Sequence, residues 1–338
     1  MKAVNKEGKT AALCEAAIMT ALSVLFLVLA RYVPLLGILL IVAAGLPFAV
    51  LVVHRGLGVS VTAFAASALV YFILSGDIVG AAVAAAVYLL PGLVVGYAVR
   101  SRTGFYTLLA ATCGVVLFGL MLELMLLNMA ADGHGIAQMI EESMQIFRQT
   151  AGDILERTQT LTGVQRDLMP IVNAMADRAQ EMIEWYFPSL VLSVAILLSY
   201  AIVAFALFTF RRLRVRAVAY VPFWYLKVPK SMCYVTAILF LVVTFSNDTT
   251  RATASLSNLV VILYLLIAAD GLAVIDFQLR RWVPNGYLRA CIYIGVLVVG
   301  YMLLSIIANL LIILGMIDGV LNFRRIIQVS GENGENQR

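Results

Sequence analysis

An ionisable side chain inside an apolar run is costly to keep there, so such groups are candidates for handling ions or substrates. The 338-residue sequence places four of them in or beside long apolar runs: Arg31, Glu123, Asp270 and Asp276. Asp270 is the most isolated, lying mid-run within Ala268-Ala269-Asp270-Gly271, and Asp276 follows nearer the end of the same run. Glu123 lies late in its run, and Arg31 stands near the end of the first. A carboxylate and a guanidinium on neighbouring helices can pair, and Arg31 with Glu123 is the pair that the run ends allow. Asp77 falls in a turn and is read as solvated.

The other reactive types converge on nothing. Cys14, Cys113, Cys233 and Cys291 are scattered without a Cys-x-x-Cys pair and read as small apolar residues. The two histidines, His54 and His134, are far apart, so no metal site is expected. There is no Gly-x-x-x-x-Gly-Lys-Ser/Thr loop, no His-Glu-x-x-His and no Gly-x-Ser-x-Gly. Neither an enzyme nor a resident cofactor is expected, and any ATP-driven work falls to another chain. Small residues do recur at helical spacing. Ala12 with Ala16 and Ala17 with Ala21 form small-xxx-small pairs, as do Gly80 with Ala84 and Gly92 with Gly96. Such faces let helix backbones approach closely, either inside one bundle or against a separate subunit.

The elements that carry these residues follow from composition. The chain is 62% hydrophobic and 13% charged, with a mean hydropathy of +0.97. A soluble domain is about 45–50% apolar and about 25% charged. That difference excludes a soluble enzyme, a disordered tail and a disulfide-stapled domain. A membrane-crossing helix needs about 20 mostly apolar residues. Continuous runs cover 16–33, 35–53, 57–75, 78–99, 105–129, 187–210, 232–245, 259–279 and 287–316. A β-barrel would alternate apolar and polar residues instead. The expected fold class is therefore all-α: a polytopic helical membrane protein with about eight full spans plus a C-terminal long helix or short helical hairpin.

Basic residues orient the runs, because cytoplasmic loops are rich in Lys and Arg. Lys2, Lys6 and Lys9 place the N-terminus in the cytoplasm. Arg55, Arg100, Arg102, the cluster Arg211, Arg212, Arg214 and Arg216, then Lys227, Lys230, Arg280, Arg281 and Arg289 all fall on the same side. The net charge of +5 thus reflects membrane topology, and no nucleic-acid partner is expected. The first run, although it resembles a signal peptide, is read as a retained span because the next begins at Pro34. The last run is 30 residues, about 45 Å as a helix against a hydrocarbon core of about 30 Å. A fold-back, with a break near Ser305 or Asn309, is favoured because it keeps Arg324-Arg325 cytoplasmic.

Four segments follow from this reading: an N-terminal five-helix membrane part (1–130), an extracytoplasmic amphipathic insert (131–184), C-terminal membrane helices (185–327) and a polar tail (328–338). The insert has nine acidic and four basic residues, which suits an external location. Met139, Ile140, Met144, Ile146 and Phe147 recur at helical turns, as do Leu168, Ile171, Val172, Met175 and Met182. Two amphipathic helices are expected, on the outer membrane surface or capping the bundle. The stretch from Tyr220 to Pro229 mixes aromatic and basic residues with proline and suits an interfacial anchor or partner contact.

Three stretches carry a family resemblance: Glu15-Ala-Ala-Ile-Met-Thr-Ala21 leading to Arg31-Tyr-Val-Pro-Leu-Leu-Gly37 and Leu46-Pro-Phe48; Pro91-Gly-Leu-Val-Val-Gly-Tyr97 with Arg100; and Gly315-Met-Ile-Asp-Gly-Val-Leu-Asn-Phe-Arg-Arg325. In this order they resemble the YybS-like family of bacterial membrane proteins, domain-of-unknown-function family 2232. The N-terminal part is also similar to the substrate-binding S components of energy-coupling-factor transporters. That likeness implies that Ala12, Ala16, Ala17 and Ala21 dock a transmembrane coupling subunit. The function expected on these grounds is a small-molecule-binding transport subunit of the cytoplasmic membrane, energised by partner ATPases. A non-transporting scaffold in envelope or cell-shape assembly is the alternative.

Overall fold

The computed structural model describes residues 6–130, 135–162, 169–215, 223–246, 251–283, 285–286, 288–289, 291–293, 304–322 and 324. Among them every regular element is helical, and seven helical stretches are long and apolar enough to cross a membrane. Two shorter apolar helices accompany them, Lys230–Phe245 and Ile306–Leu321. The seventh apolar run thus forms a helix of only 16 residues, shorter than a full crossing. The polar tail 328–338, His134 and residues 294–303 of the last run lie outside the described residues. The chain divides into two compact units, Met1–Tyr220 and Val221–Arg338.

In the first unit, α1 (Lys6–Tyr32) packs against α2 (Pro34–Ala44), α3 (Leu46–Arg55) and α4 (Leu57–Ser75). Helices α2 and α3 are one apolar run broken at Gly45. Pro47 cannot donate a backbone hydrogen bond to the preceding turn, which ends α2 there. The fourth apolar run, 78–99, breaks for the same reason. Helix α5 (Ile78–Ala84) widens into a π-turn over Ala85–Leu89 before α6 (Leu90–Arg100), just ahead of Pro91. The two breaks meet. A methyl group on Gly92 would land on the carbonyl of Gly45, and one on Gly45 would lie 2.6 Å from the Tyr88 carbonyl oxygen. Only glycine permits that approach. Around it lies the apolar core of Ala44, Phe48, Leu51, Val52, Leu89 and Leu93.

Helix α7 (Phe105–Ala130) packs on the π-turn, α6 and α9. Helix α8 (Gly135–Thr162) pairs with α9 (Met169–Arg212), Arg148 reaching Asp177 at 2.7 Å. The second amphipathic segment of the insert is not a separate helix. It continues through Pro188 into the sixth apolar run as a single helix of 44 residues, about 66 Å long if straight. Proline at 188 removes one backbone hydrogen bond without stopping the helix, and the other proline, Pro170, sits in the first turn, where an N–H has no partner within the helix. The apolar surfaces of the membrane helices face outward, as a bilayer requires: Leu13, Ile38, Ile73 and Phe118 are all exposed.

In the second unit, α10 (Lys230–Phe245) runs antiparallel to α11 (Arg251–Trp282). Phe240 meets Tyr264, and Ser246 meets Thr253. Helix α10 is also antiparallel to α12 (Leu304–Leu321), with Cys233 against Gly319 and Thr236 beside Met316. Helices α11 and α12 are therefore parallel. They cross at Gly271 and Gly315, where a methyl on either would strike the other helix's backbone at Leu311 or Ile267. The chain accordingly re-enters α12 in the direction of α11. The break expected near Ser305 or Asn309 is not there: both lie inside the unbroken helix Leu304–Leu321, and residues 294–303 lie outside the described residues. Both side chains are compatible with helix when the apolar neighbours pack, and no Gly or Pro follows them until Gly315.

Candidate functional site

Helix α10 begins and α12 ends at the same level of the second unit, opposite Asp270 of the longer α11. This follows from Cys233, near the start of α10, lying against Gly319, near the end of α12. A helix end leaves backbone carbonyls without partners. At the end of α12 the chain turns through Asn322, a non-glycine residue at φ +54°, the left-handed conformation that commonly closes helices. The turn sends Arg324 back toward the helix. Its backbone N–H donates to Oδ1 of Asp318 at 3.0 Å, and its Nε donates to Oδ2 at 2.9 Å. The same guanidinium donates to Oδ1 of Asp270. Lys227 secures the turn by donating to Oδ1 of Asn322.

The result is one arginine held between two buried carboxylates. Asp270 and Asp318 are 0% and 1% exposed, and Arg324 is 12% exposed. Both oxygens of Asp318 accept from Arg324, but Oδ2 of Asp270 is buried without a hydrogen-bond partner. Among the described residues, two carboxyls thus face one guanidinium. Beside it a cavity of about 510 Å³ opens between α10, α11 and α12. Thr236, Phe240, Tyr264, Asn309 and Met316 are among its lining residues, so its wall is mostly apolar with a few polar groups. Sites for small molecules have this character and size. Its Thr236–Met316 end is one helical turn from Cys233 and Gly319.

Asp276 has a different setting. It accepts from Arg280 at 3.0 Å, one turn along α11, and from the Tyr293 hydroxyl at 2.5 Å. The first unit places the remaining candidates apart. Arg31 is exposed, lining a cavity of about 180 Å³ with Tyr71 and Ser75. Glu123 is half-buried on α7, and Arg31 and Glu123 form no ion pair. They belong to the end of α1 and the late part of α7, which are not neighbouring helices, so equal depth does not bring them together. Asp77 caps α5 by accepting from the Val79 N–H at 3.0 Å.

The four alanines do not share one face. Ala16 is buried in the core and Ala12 is half-buried, whereas Ala17 and Ala21 are exposed. A spacing of four keeps each pair on one face, but the pairs are offset by one residue, about 100° around the helix. Of the other small residues, Gly92 and Gly96 press against α2–α3, Gly96 near Ala49 and Val52. Ala84 is buried, and Gly80 lies against Asp77 of its own turn.

Sequence reasoning did not single out Asp318, Arg324 or Glu15 as site residues. Asp318 stood only within the terminal motif, and Arg324 there and as a marker of the cytoplasmic side. Their signal was an acid in the last helical turn with a base six residues on and Asn between them. Glu15 joins α1 to the end of α3, with Arg55 Nε at 2.6 Å and His54 Nδ1 at 3.2 Å. Arg100 completes that end by donating to the Val52 carbonyl at 3.0 Å, beside Gly56. The stretch before α10 forms a short 3₁₀ turn, Phe223–Tyr225, packed on α11; Tyr220 to Pro222 lie outside the described residues.

No curated protein and no solved structure matches the chain. A family model does, over residues 21–319, which include Asp270, Asp318 and both glycines of the α11–α12 crossing and stop short of Arg324. With most of its length covered by that model, the chain belongs to the DUF2232 family of predicted membrane proteins.

Proposed function

We propose that this multi-pass membrane protein is a small-molecule-binding transport subunit of the bacterial cytoplasmic membrane, with its N-terminus cytoplasmic, energised by ATPases on partner chains. The observation that carries the reading is the meeting of two short apolar helices, α10 and α12, at a buried polar cluster beside a ligand-sized cavity. Short or interrupted helices whose ends converge on polar groups are a recurring way to build a transport site. The solute occupies the apolar cavity, and the charged cluster forms its polar margin. Exposed Ala17 and Ala21 offer a flat strip on α1, the place where the S-component likeness puts a coupling subunit.

The test replaces Ala17 and Ala21 with Leu in the full chain and purifies it from its native membrane. Co-purifying ATPase and coupling subunits with the unsubstituted protein, lost on substitution while the fold persists, support the reading. Uptake that survives the double substitution refutes the docking role. A scaffold reading has its own observation: Ile171, Met175 and Met182 form an exposed apolar stripe on α9, ahead of the apolar run that begins at 187. Under that reading only envelope proteins co-purify, and no solute does.

A further inference from the structure

Among the described residues, the cluster around Asp270 has two carboxyls and one cation. Facing Asp270 are Cys233 from α10, Asp318 from α12 and Arg324 from the turn beyond α12. Lys227, on the segment leading into α10, is exposed and engaged by Asn322. On α11 itself the next charged groups, Asp276 and Arg280, pair with each other. No second cation reaches the carboxylates among the described residues. A buried ionised carboxylate needs both a partner charge and hydrogen bonds; Asp270 has Arg324 on Oδ1 and the Val228 backbone N–H close to its carboxyl, while its Oδ2 is enclosed without a hydrogen-bond partner. Two carboxyls that share one site do not both stay ionised without compensation.

We propose that the Asp270–Asp318 pair is a proton-binding site that holds one proton while Arg324 is seated. The proton is taken from solvent hydronium, which leaves as water, and forms an O–H bond at Oδ2 of Asp270, so two carboxyls, one proton and one guanidinium sum to zero charge. Withdrawal of Arg324 removes one positive charge and makes room for a second proton. The guanidinium and the second proton therefore exclude each other. The geometry of Arg324 suits such an exchange: it lies beyond the left-handed Asn322 and outside α12, so it can leave without unwinding α12. The inference does not rest on solute transport, since a scaffold could hold the same proton.

Infrared difference spectroscopy on the full-length protein in lipid nanodiscs at neutral pH tests this directly. Protonated carboxyls absorb apart from carboxylates. The unsubstituted protein should show a protonated-carboxyl band that Asp270→Asn abolishes and Asp270→Glu shifts. Glu123→Gln, which alters the other half-buried acid, should leave that band in place. Arg324→Gln should roughly double it. The glutamate variant keeps the carboxyl, so the test survives if the asparagine variant folds poorly. A spectrum without such a band in the unsubstituted protein, or a band indifferent to Asp270→Asn, Asp270→Glu and Asp318→Asn alike, overturns the proposal.

Discussion

Each unit of the molecule holds an arginine against an acid, and the two pairs share chemistry but not surroundings. In the first unit, Arg55 meets Glu15 at 2.6 Å with side chains 36% and 22% exposed. In the second, Arg324 meets Asp270 and Asp318 at 12%, 0% and 1% exposure. Exposed pairs contribute about 0–1 kcal/mol, because water and salt already solvate both partners. A buried pair can be close to neutral overall, yet breaking it costs about 3–5 kcal/mol because a charge is left without solvent. The first pair is a stitch between α1 and α3 that the fold can lose. The second is a commitment: once the carboxylates are enclosed, the arginine must stay or something must replace it. The helix packing is similar in the two units, each with a glycine-to-glycine backbone approach, Gly45–Gly92 and Gly271–Gly315. What differs is what the approach encloses, an apolar core in one and a charged cluster in the other.

The comparison can be broken at several points. Arg324→Ala should have the largest effect, lowering stability by about 3–5 kcal/mol in thermal unfolding at alkaline pH, where no second proton replaces the lost cation beside the buried Asp318 carboxylate. Gly315→Val comes next. Its added methyls meet the Ile267 backbone, which cannot rotate away, so a loss of about 1–3 kcal/mol or more is expected; Gly92→Val against Gly45 should match it in the other unit. Arg55→Ala should cost less than about 1 kcal/mol, and raising the salt concentration should shrink the difference further. The smallest change belongs to the triple substitution Asp270→Leu, Asp318→Leu, Arg324→Met. It removes every charge of the cluster together and should unfold close to the unsubstituted protein, about as apolar replacement of buried ion networks behaves elsewhere.

The helical membrane class was legible because lipid demands long apolar runs, and composition reports that demand directly. Asp270 was legible for the same reason, as a charge in the wrong company. Its partners were not. Asp318 lies in the last turn of its helix and Arg324 beyond it, where charged residues usually face water, and only the return of the chain at Asn322 carries Arg324 inward. The Arg31–Glu123 pairing failed because depth in the membrane is readable from a sequence whereas lateral neighbours are not. The division of the alanines shows the same limit: spacing reports which residues share a face of one helix, but not which face is covered. The continuity of α9 was hidden by polarity, since a polar segment and an apolar one look like two elements even when the backbone joins them without a break.

The triple substitution also separates folding from function, since it keeps the unit together while erasing the polar cluster. The most direct measurement is therefore a pair of native mass spectra, from the unsubstituted protein and from this triple variant, each extracted in mild detergent from the native membrane. The expected result is a bound small-molecule mass on the first that is missing from the second, with both proteins folded. Identical spectra, whether both carry the molecule or neither does, would contradict a role for the Asp270–Asp318–Arg324 cluster in solute binding.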